Sequence, residues 1–189
     1  MGAVRTIALG LVVSLAAAAT ASAQSPFTFG LGGGLTLPAN GAAADLGLGS
    51  ASFGSGWQGM GLLQVHPFGR LGFQLDGTYR PFGSAGVPVG GELFNGTANI
   101  LYEFGRTRTS KVIPYVIGGA GVYSFRSRGP DDTSTLFGLN GGAGINLRLF
   151  GPGSLFLESR FHNVFGAGLS GDGSAHLIPI TAGFKFSGP

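Results

Sequence analysis

Along most of the chain, large apolar residues stand at every second position with small or polar residues between them. A period of two is the mark of a β-strand with two unlike faces. Eight such segments follow one another. In the first, Phe27, Phe29, Leu31, Leu35 and Leu37 alternate with Thr28, glycines and Thr36. The second, Trp57 to Pro67, sets Trp57, Leu63 and Val65 against Gln58, Gln64 and His66. The third sets Leu71, Phe73, Leu75 and Tyr79 against Arg70, Gln74, Asp76, Thr78 and Arg80, and the fourth sets Phe94, Ala98, Ile100, Tyr102 and Phe104 against Asn95, Thr97, Asn99 and Glu103. The fifth, Val112 to Phe125, is apolar on both faces, with Ile113, Tyr115, Ile117, Tyr123 and Phe125 on the bulkier one. The sixth sets Phe137, Leu139, Ala143, Ile145, Leu147 and Leu149 against Asn140, Asn146, Arg148 and glycines. The seventh sets Leu155, Leu157 and Phe161 against Glu158, Arg160 and His162, and the eighth sets Ile178, Ile180, Ala182, Phe184 and Phe186 against Thr181, Gly183 and Lys185. The 3.6-residue period of an amphipathic helix is missing. A charge-free stretch such as Leu46 to Gly69 holds seven glycines and a proline, which makes it a poor helix in any solvent.

The connections between these segments alternate in length. Short turns fall near Pro67 to Arg70, Gly105 to Ser110 and Phe150 to Gly153. Longer ones fall near Pro38 to Gly56, Phe82 to Gly91, Arg126 to Ser134 and Gly166 to Ala175. The pattern predicts an antiparallel meander with tight turns at one end and long loops at the other, the asymmetry of membrane barrels.

The start of the chain has a different character. Met1 to Arg5 is short and basic, Thr6 to Thr20 is almost wholly apolar, and Ala21-Ser22-Ala23 precedes Gln24. Charged start, apolar centre and small-x-small site together read as a secretory signal peptide, residues 1–23. An apolar run of about 15 residues is short for a spanning helix of ~20. Residues 24–189 then form one barrel domain.

Composition decides which face of the strands points inward. Of 189 residues 38 are glycine and 10% are charged, against a usual ~7% and ~25%. There is no cysteine, which excludes a disulfide scaffold or thiolate metal site. A water-soluble barrel needs a charged coat, and this chain lacks one. The net charge is +3 with no Lys/Arg-rich run, which argues against nucleic acid as a partner. With the apolar face against lipid, the strand-borne charges share a narrow interior: Arg70, Arg80, Arg148, Arg160 and Lys185 with Asp76, Glu103, Glu158 and His162. On the lipid face, an Arg or Lys would cost roughly 2–4 kcal/mol at the midplane. The expected fold is an all-β, eight-stranded antiparallel up-and-down transmembrane barrel. Tyr79, Tyr102, Tyr115, Tyr123 and Trp57 are expected at its interfaces or on its lipid face.

Several stretches resemble the small outer-membrane β-barrel family, the OmpA/OmpX-like barrels. Pro114-Tyr115-Val116 leading into Gly118-Gly119-Ala120-Gly121-Val122-Tyr123 is similar to the family's fifth strand, and Glu158-Ser159-Arg160-Phe161-His162 to its seventh. Thr181-Ala182-Gly183-Phe184-Lys185-Phe186 resembles the C-terminal assembly signal, with Thr181, Gly183, Phe184 and Phe186 in the signal positions and Ser187-Gly188-Pro189 beyond it. The resemblance implies a bacterial outer-membrane location after passage through the inner membrane. It also implies that the barrel-assembly machinery and outer-membrane lipid are partners.

Candidate chemistry is sparse. Glu158, Arg160 and His162 share one face of a strand, either as an acid/base cluster or as an interior ion pair beside a hydrogen-bonded histidine. Arg160-Phe161-His162-Asn163-Val164 faintly resembles a stretch of the lipid A deacylases, onto which only His162 carries over. Val164 stands where their serine nucleophile would be, and valine cannot attack an ester. Ser159 falls on the opposite face of the strand. Gly166-Ala167-Gly168-Leu169-Ser170-Gly171 spells a GxGxxG without the strand-turn-helix context a pyrophosphate site needs. Asp131, Asp132 and Asp172 fall in loops without the spacing of a calcium loop. His66 and His176 have no paired ligands in sequence. No catalytic residue, metal site or cofactor is predicted. The expected role is structural or surface-interacting, without a large pore. The alternative is narrow-path transport of small or hydrophobic solutes, through space left by the glycines and alanines of the fifth strand. A lipid A-modifying enzyme ranks third.

Overall fold

The computed structural model describes residues 27–39, 56–84, 87–105, 110–127, 133–149, 151–166 and 173–188. The segment read as a signal peptide lies outside them, as do Asp131, Asp132, Asp172 and most of the GxGxxG stretch. Eight strands are present: β1 (Thr28–Ala39), β2 (Gly56–Phe68), β3 (Leu71–Ser84), β4 (Val87–Glu103), β5 (Val112–Ser127), β6 (Thr133–Arg148), β7 (Gly153–Phe165) and β8 (Ser174–Ser187). Each pairs antiparallel with the next, and β1 pairs with β8, so the sheet closes. The closing register runs from Thr28 opposite Ser187 to Ala39 opposite His176. Closure leaves no sheet edge, and every backbone polar group can bond to a neighbouring strand.

The described residues at the tight turns share one backbone feature. Gly69, Gly105 and Gly151 each adopt a positive φ there, a conformation open to glycine at little cost. Pro67 lies at a register shift in the β2–β3 ladder, between Val65 and Phe68, where its missing N–H is tolerated. One connection differs from expectation. Among the described residues of 82–91 there is no long loop: β3 runs to Ser84, β4 begins at Val87, and these two residues pair. Pro81, Gly83 and Pro88 give that stretch the composition of a turn, but the two chains still pair as a hairpin.

The two faces of the sheet are inverted relative to a soluble barrel. Leu31 (72% exposed), Trp57, Leu63, Phe73, Phe94, Ile100, Phe137, Phe161 and Phe184 all face outward. Gln58, Gln74, Asp76, Arg80, Asn99, Glu103, Asn146, Glu158, Arg160 and Lys185 are buried inside. An apolar exterior around a polar interior is stable only where the outer solvent is hydrocarbon.

The fifth strand corrects the sequence reading. Tyr115 and Tyr123 are buried in the lumen, with Ile113 and Ile117, while Val112, Val116 and Val122 face outward. Their rings fit because glycines on the inner wall face them. A Cβ on Gly144 would come 2.5 Å from the Tyr115 ring, and one on Gly138 would come 2.7 Å from the Tyr123 ring. Gly32 and Gly183 similarly seat Phe156, which a Cβ on either would meet at 2.8 and 2.7 Å. Gly119 and Gly121 leave no open space either, since a Cβ at either would strike the β4 backbone, at the carbonyls of Ala98 and Gly96.

Candidate functional site

The interior polar residues form three tiers of contacts between strands. Nearest the tight turns, the polar chain visits every even-numbered strand. His66 Nε2 lies 3.0 Å from Gln64 Nε2 and 3.3 Å from Glu103 Oε2. Asn146 Nδ2 donates to Glu103 Oε1 at 3.0 Å, and Lys185 Nζ donates to Asn146 Oδ1 at 3.1 Å. The ammonium also lies 4.9 Å from the centres of the Tyr115 and Phe156 rings, within cation–π range.

The middle tier centres on two carboxylates and one guanidinium. Arg160 donates from Nε to Glu158 Oε1 at 2.6 Å and from Nη1 to Asp76 Oδ2 at 3.0 Å. Strands β3 and β7 are four apart around an eight-stranded ring. The Arg160–Asp76 pair therefore bridges the lumen. Asp76 also accepts from Thr97 Oγ1 at 2.7 Å, Asn99 Nδ2 at 2.8 Å and Gln74 Nε2 at 3.1 Å. Tyr115 OH donates to Glu158 Oε2 at 2.8 Å. Gly142 leaves room for the arginine to cross: a Cβ there would meet Arg160 Cγ at 3.0 Å.

Towards the long connections, Gln58 accepts from Thr36 Oγ1 at 2.8 Å and from Arg80 Nε at 2.5 Å, and donates to Thr181 Oγ1 at 2.5 Å. Tyr123 OH and His162 Nδ1 lie 2.7 Å apart, their rings edge-on. Above these groups Leu93, Tyr123, Val164, Ala175 and Leu177 form a buried apolar cluster, with Phe125 and Leu136 packed against it. That layer caps the polar interior.

The interior set expected from the sequence thus divides in two. Asp76, Arg80, Glu103, Glu158, Arg160, His162 and Lys185 are buried in the lumen. Arg70 is not: it sits in the β2–β3 turn, exposed, because the chain reverses there before the strand's alternation begins. Arg148 lies half-buried at the end of β6. Of the signal positions, Thr181 and Gly183 face inward, and Phe184 and Phe186 face outward, Phe186 stacked on Phe29 at 5.5 Å. Ser159 is on the outer wall, away from His162. His176 packs against the Phe161 ring, 5.3 Å between centroids. The polar partners Gln58, Thr97, Asn99 and Asn146 follow from parity. Tyr115 and Tyr123, which complete the Glu158 and His162 contacts, do not.

The space left among these side chains is small. A cavity lined by Gln58, Asp76, Arg80, Glu158, Arg160, His162 and Thr181, among others, offers about 10 Å³ to the centre of a water-sized sphere. That is room for about one water molecule. Among the described residues no group of three or more His, Asp or Glu is placed to hold a metal ion.

No known sequence family matches the chain, and no curated protein matches it. Solved structures do match. Neisserial surface protein A aligns with a TM-score of 0.63 at 16% identity, over 85% of this chain and 96% of that one. The outer membrane protein OprG from Pseudomonas aeruginosa aligns with a TM-score of 0.57 at 13% identity, over 86% of this chain and 95% of that one. A major outer membrane protein from Thermus thermophilus aligns with a TM-score of 0.55 at 15% identity, over 86% of this chain and 98% of that one. At these identities the likeness is one of architecture: the chain has the fold of the small, eight-stranded, OmpA/OmpX-like outer-membrane barrels.

Proposed function

We propose that this protein is a closed outer-membrane barrel that acts as a surface scaffold and does not conduct solutes. In this reading, residues 1–23 direct export through the inner membrane. The barrel-assembly machinery reads the end of β8, and the connections spanning residues 40–55, 128–132 and 167–172 meet the protein's external partner. One observation carries the proposal: the lumen is filled. Among the described residues, polar side chains and an apolar cap fill it, the cavity lined by Arg80 and Arg160 is about 10 Å³, and an eight-stranded barrel is just wide enough for side chains to fill it.

Transport along a narrow path needs interior space that the fifth-strand glycines do not leave. Deacylase chemistry is equally poorly served. His162 is engaged by Tyr123, Val164 is fully buried in the apolar cap, and Ser159 is on the far side of its strand. Planar-bilayer recording on purified protein tests the proposal. The expected trace is leak alone, and steady unitary channels would overturn the scaffold reading.

A further inference from the structure

The small cavity has an unusual lining. Arg80 is 1% exposed, and it donates from Nε to Gln58. Among the described residues it has no carboxylate partner, because Asp76 and Glu158 both bind Arg160. Arg80 Nη1 is buried and unpaired, and so are Arg160 Nη2 and His162 Nε2. All three residues line the same cavity. When Tyr123 O–H donates to Nδ1 of His162, the ring proton sits on Nε2, so each of the three nitrogens is a donor.

Most acceptors around the cavity already carry a hydrogen bond, and the Thr78 hydroxyl also stands on its wall. Asp76 accepts from Thr97, Asn99, Gln74 and Arg160. Glu158 accepts from Tyr115 and Arg160, and the Gln58 carbonyl accepts from Thr36 and Arg80. Pro179 makes part of the wall and offers no N–H, and the β7–β8 pairing passes from Ser159–Ile180 to His162–Leu177 without it. A buried, unpaired guanidinium is costly, and burial is tolerated where a counter-charge and hydrogen bonds are supplied.

We infer that this cavity binds one monatomic anion of chloride size, held by Arg80, Arg160 and His162. Three unpaired nitrogens on the residues of one cavity, one of them on a guanidinium without a carboxylate partner, suit an anion. The anion would act as the missing counter-ion of Arg80 and as a cross-brace between β3 and β7.

The test uses the full barrel, refolded in detergent in sodium bromide, sodium chloride or sodium gluconate at equal ionic strength. Crystals grown in bromide should show one anomalous peak within hydrogen-bonding distance of Arg80 and Arg160. The unfolding midpoint of the wild-type barrel should rise with chloride and then saturate. Arg80→Gln should lose both the peak and the halide response, while Arg70→Gln, in the exposed turn, keeps them. The wild-type bromide map decides even if Arg80→Gln fails to refold. The inference is overturned by water-like density with no anomalous signal, by a midpoint equal in chloride and gluconate, or by a peak that persists in Arg80→Gln.

Discussion

Replacing Glu158 with alanine should be among the most damaging single changes in the interior. The carboxylate accepts from Arg160 Nε at 2.6 Å and from Tyr115 OH at 2.8 Å, and the residue is 3% exposed. Removing one partner of a buried ion pair costs about 3–5 kcal/mol. Arg160 keeps its second carboxylate, Asp76 at 3.0 Å, which places the charge effect at the low end, ~3 kcal/mol. The Tyr115 hydroxyl, left without an acceptor, adds ~1–3 kcal/mol. The expected total is about 4–6 kcal/mol. Urea unfolding in lipid vesicles, followed by the fluorescence of the lone tryptophan Trp57 on the outer wall, measures it directly. Arg70→Ala, in an exposed turn, should stay within about 0.5 kcal/mol of wild type. Adding Arg160→Met to Glu158→Ala should cost much less than Arg160→Met alone, since contacting residues are coupled by about 0.5–3 kcal/mol. If Glu158→Ala and Arg70→Ala shift the midpoint equally, Glu158 is not a buried partner of Arg160 and the interior assignment fails.

Gly32→Ala should destabilise the barrel by about 1–3 kcal/mol through overpacking, because the new Cβ would come within 2.8 Å of Phe156 Cζ. Adding Phe156→Leu should recover part of that loss; no recovery in the same unfolding assay would mean that the ring does not fill the space beside Gly32. Leu31→Arg places a charge where the most exposed large apolar side chain among the described residues stands, and should cost roughly 2–4 kcal/mol in vesicles if it lies near the midplane. Leu31→Ala should cost far less, and equal losses would argue against a lipid-facing wall. Val164→Ser should leave the acyl pattern of lipid A unchanged by mass spectrometry, because the side chain enters the apolar cap. The appearance of a deacylated species would refute that placement.

Most of the architecture was legible because a strand with unlike faces writes its orientation into the parity of its residues. Asp76, Glu158 and Lys185 share parity with neighbours such as Thr78, Arg160 and Thr181, and all of these lie in the lumen. The fifth strand resists this reading because both its faces are apolar. Its inner face fills space beside glycines instead of carrying charge. The clue lay across the ladder, where Gly144 pairs with Tyr115. A glycine opposite an aromatic residue often marks a ring lying over bare backbone. Residues 82–91 misled for a local reason, since Pro88 and four glycines there suit a turn while the strands on either side still pair. Cross-lumen partners such as Arg160 and Asp76 are beyond any local pattern, because residues 84 positions apart are brought together only by closure of the sheet. The unpaired Arg80 was equally hidden, since its deficit depends on which groups Asp76 and Glu158 bind.

The inside-out arrangement itself is open to one direct measurement. The chain has no cysteine, so single cysteines can be introduced and spin-labelled one at a time from Gly72 to Tyr79 on β3. In proteoliposomes, label accessibility to dissolved oxygen should alternate with a period of two. It should peak at Phe73, Leu75, Gly77 and Tyr79 and fall at Gln74, Asp76 and Thr78, since lipid concentrates oxygen and a filled lumen excludes it. Peaks at Gln74, Asp76 and Thr78, or a profile with no alternation, would contradict a polar-filled barrel that turns its apolar face to lipid.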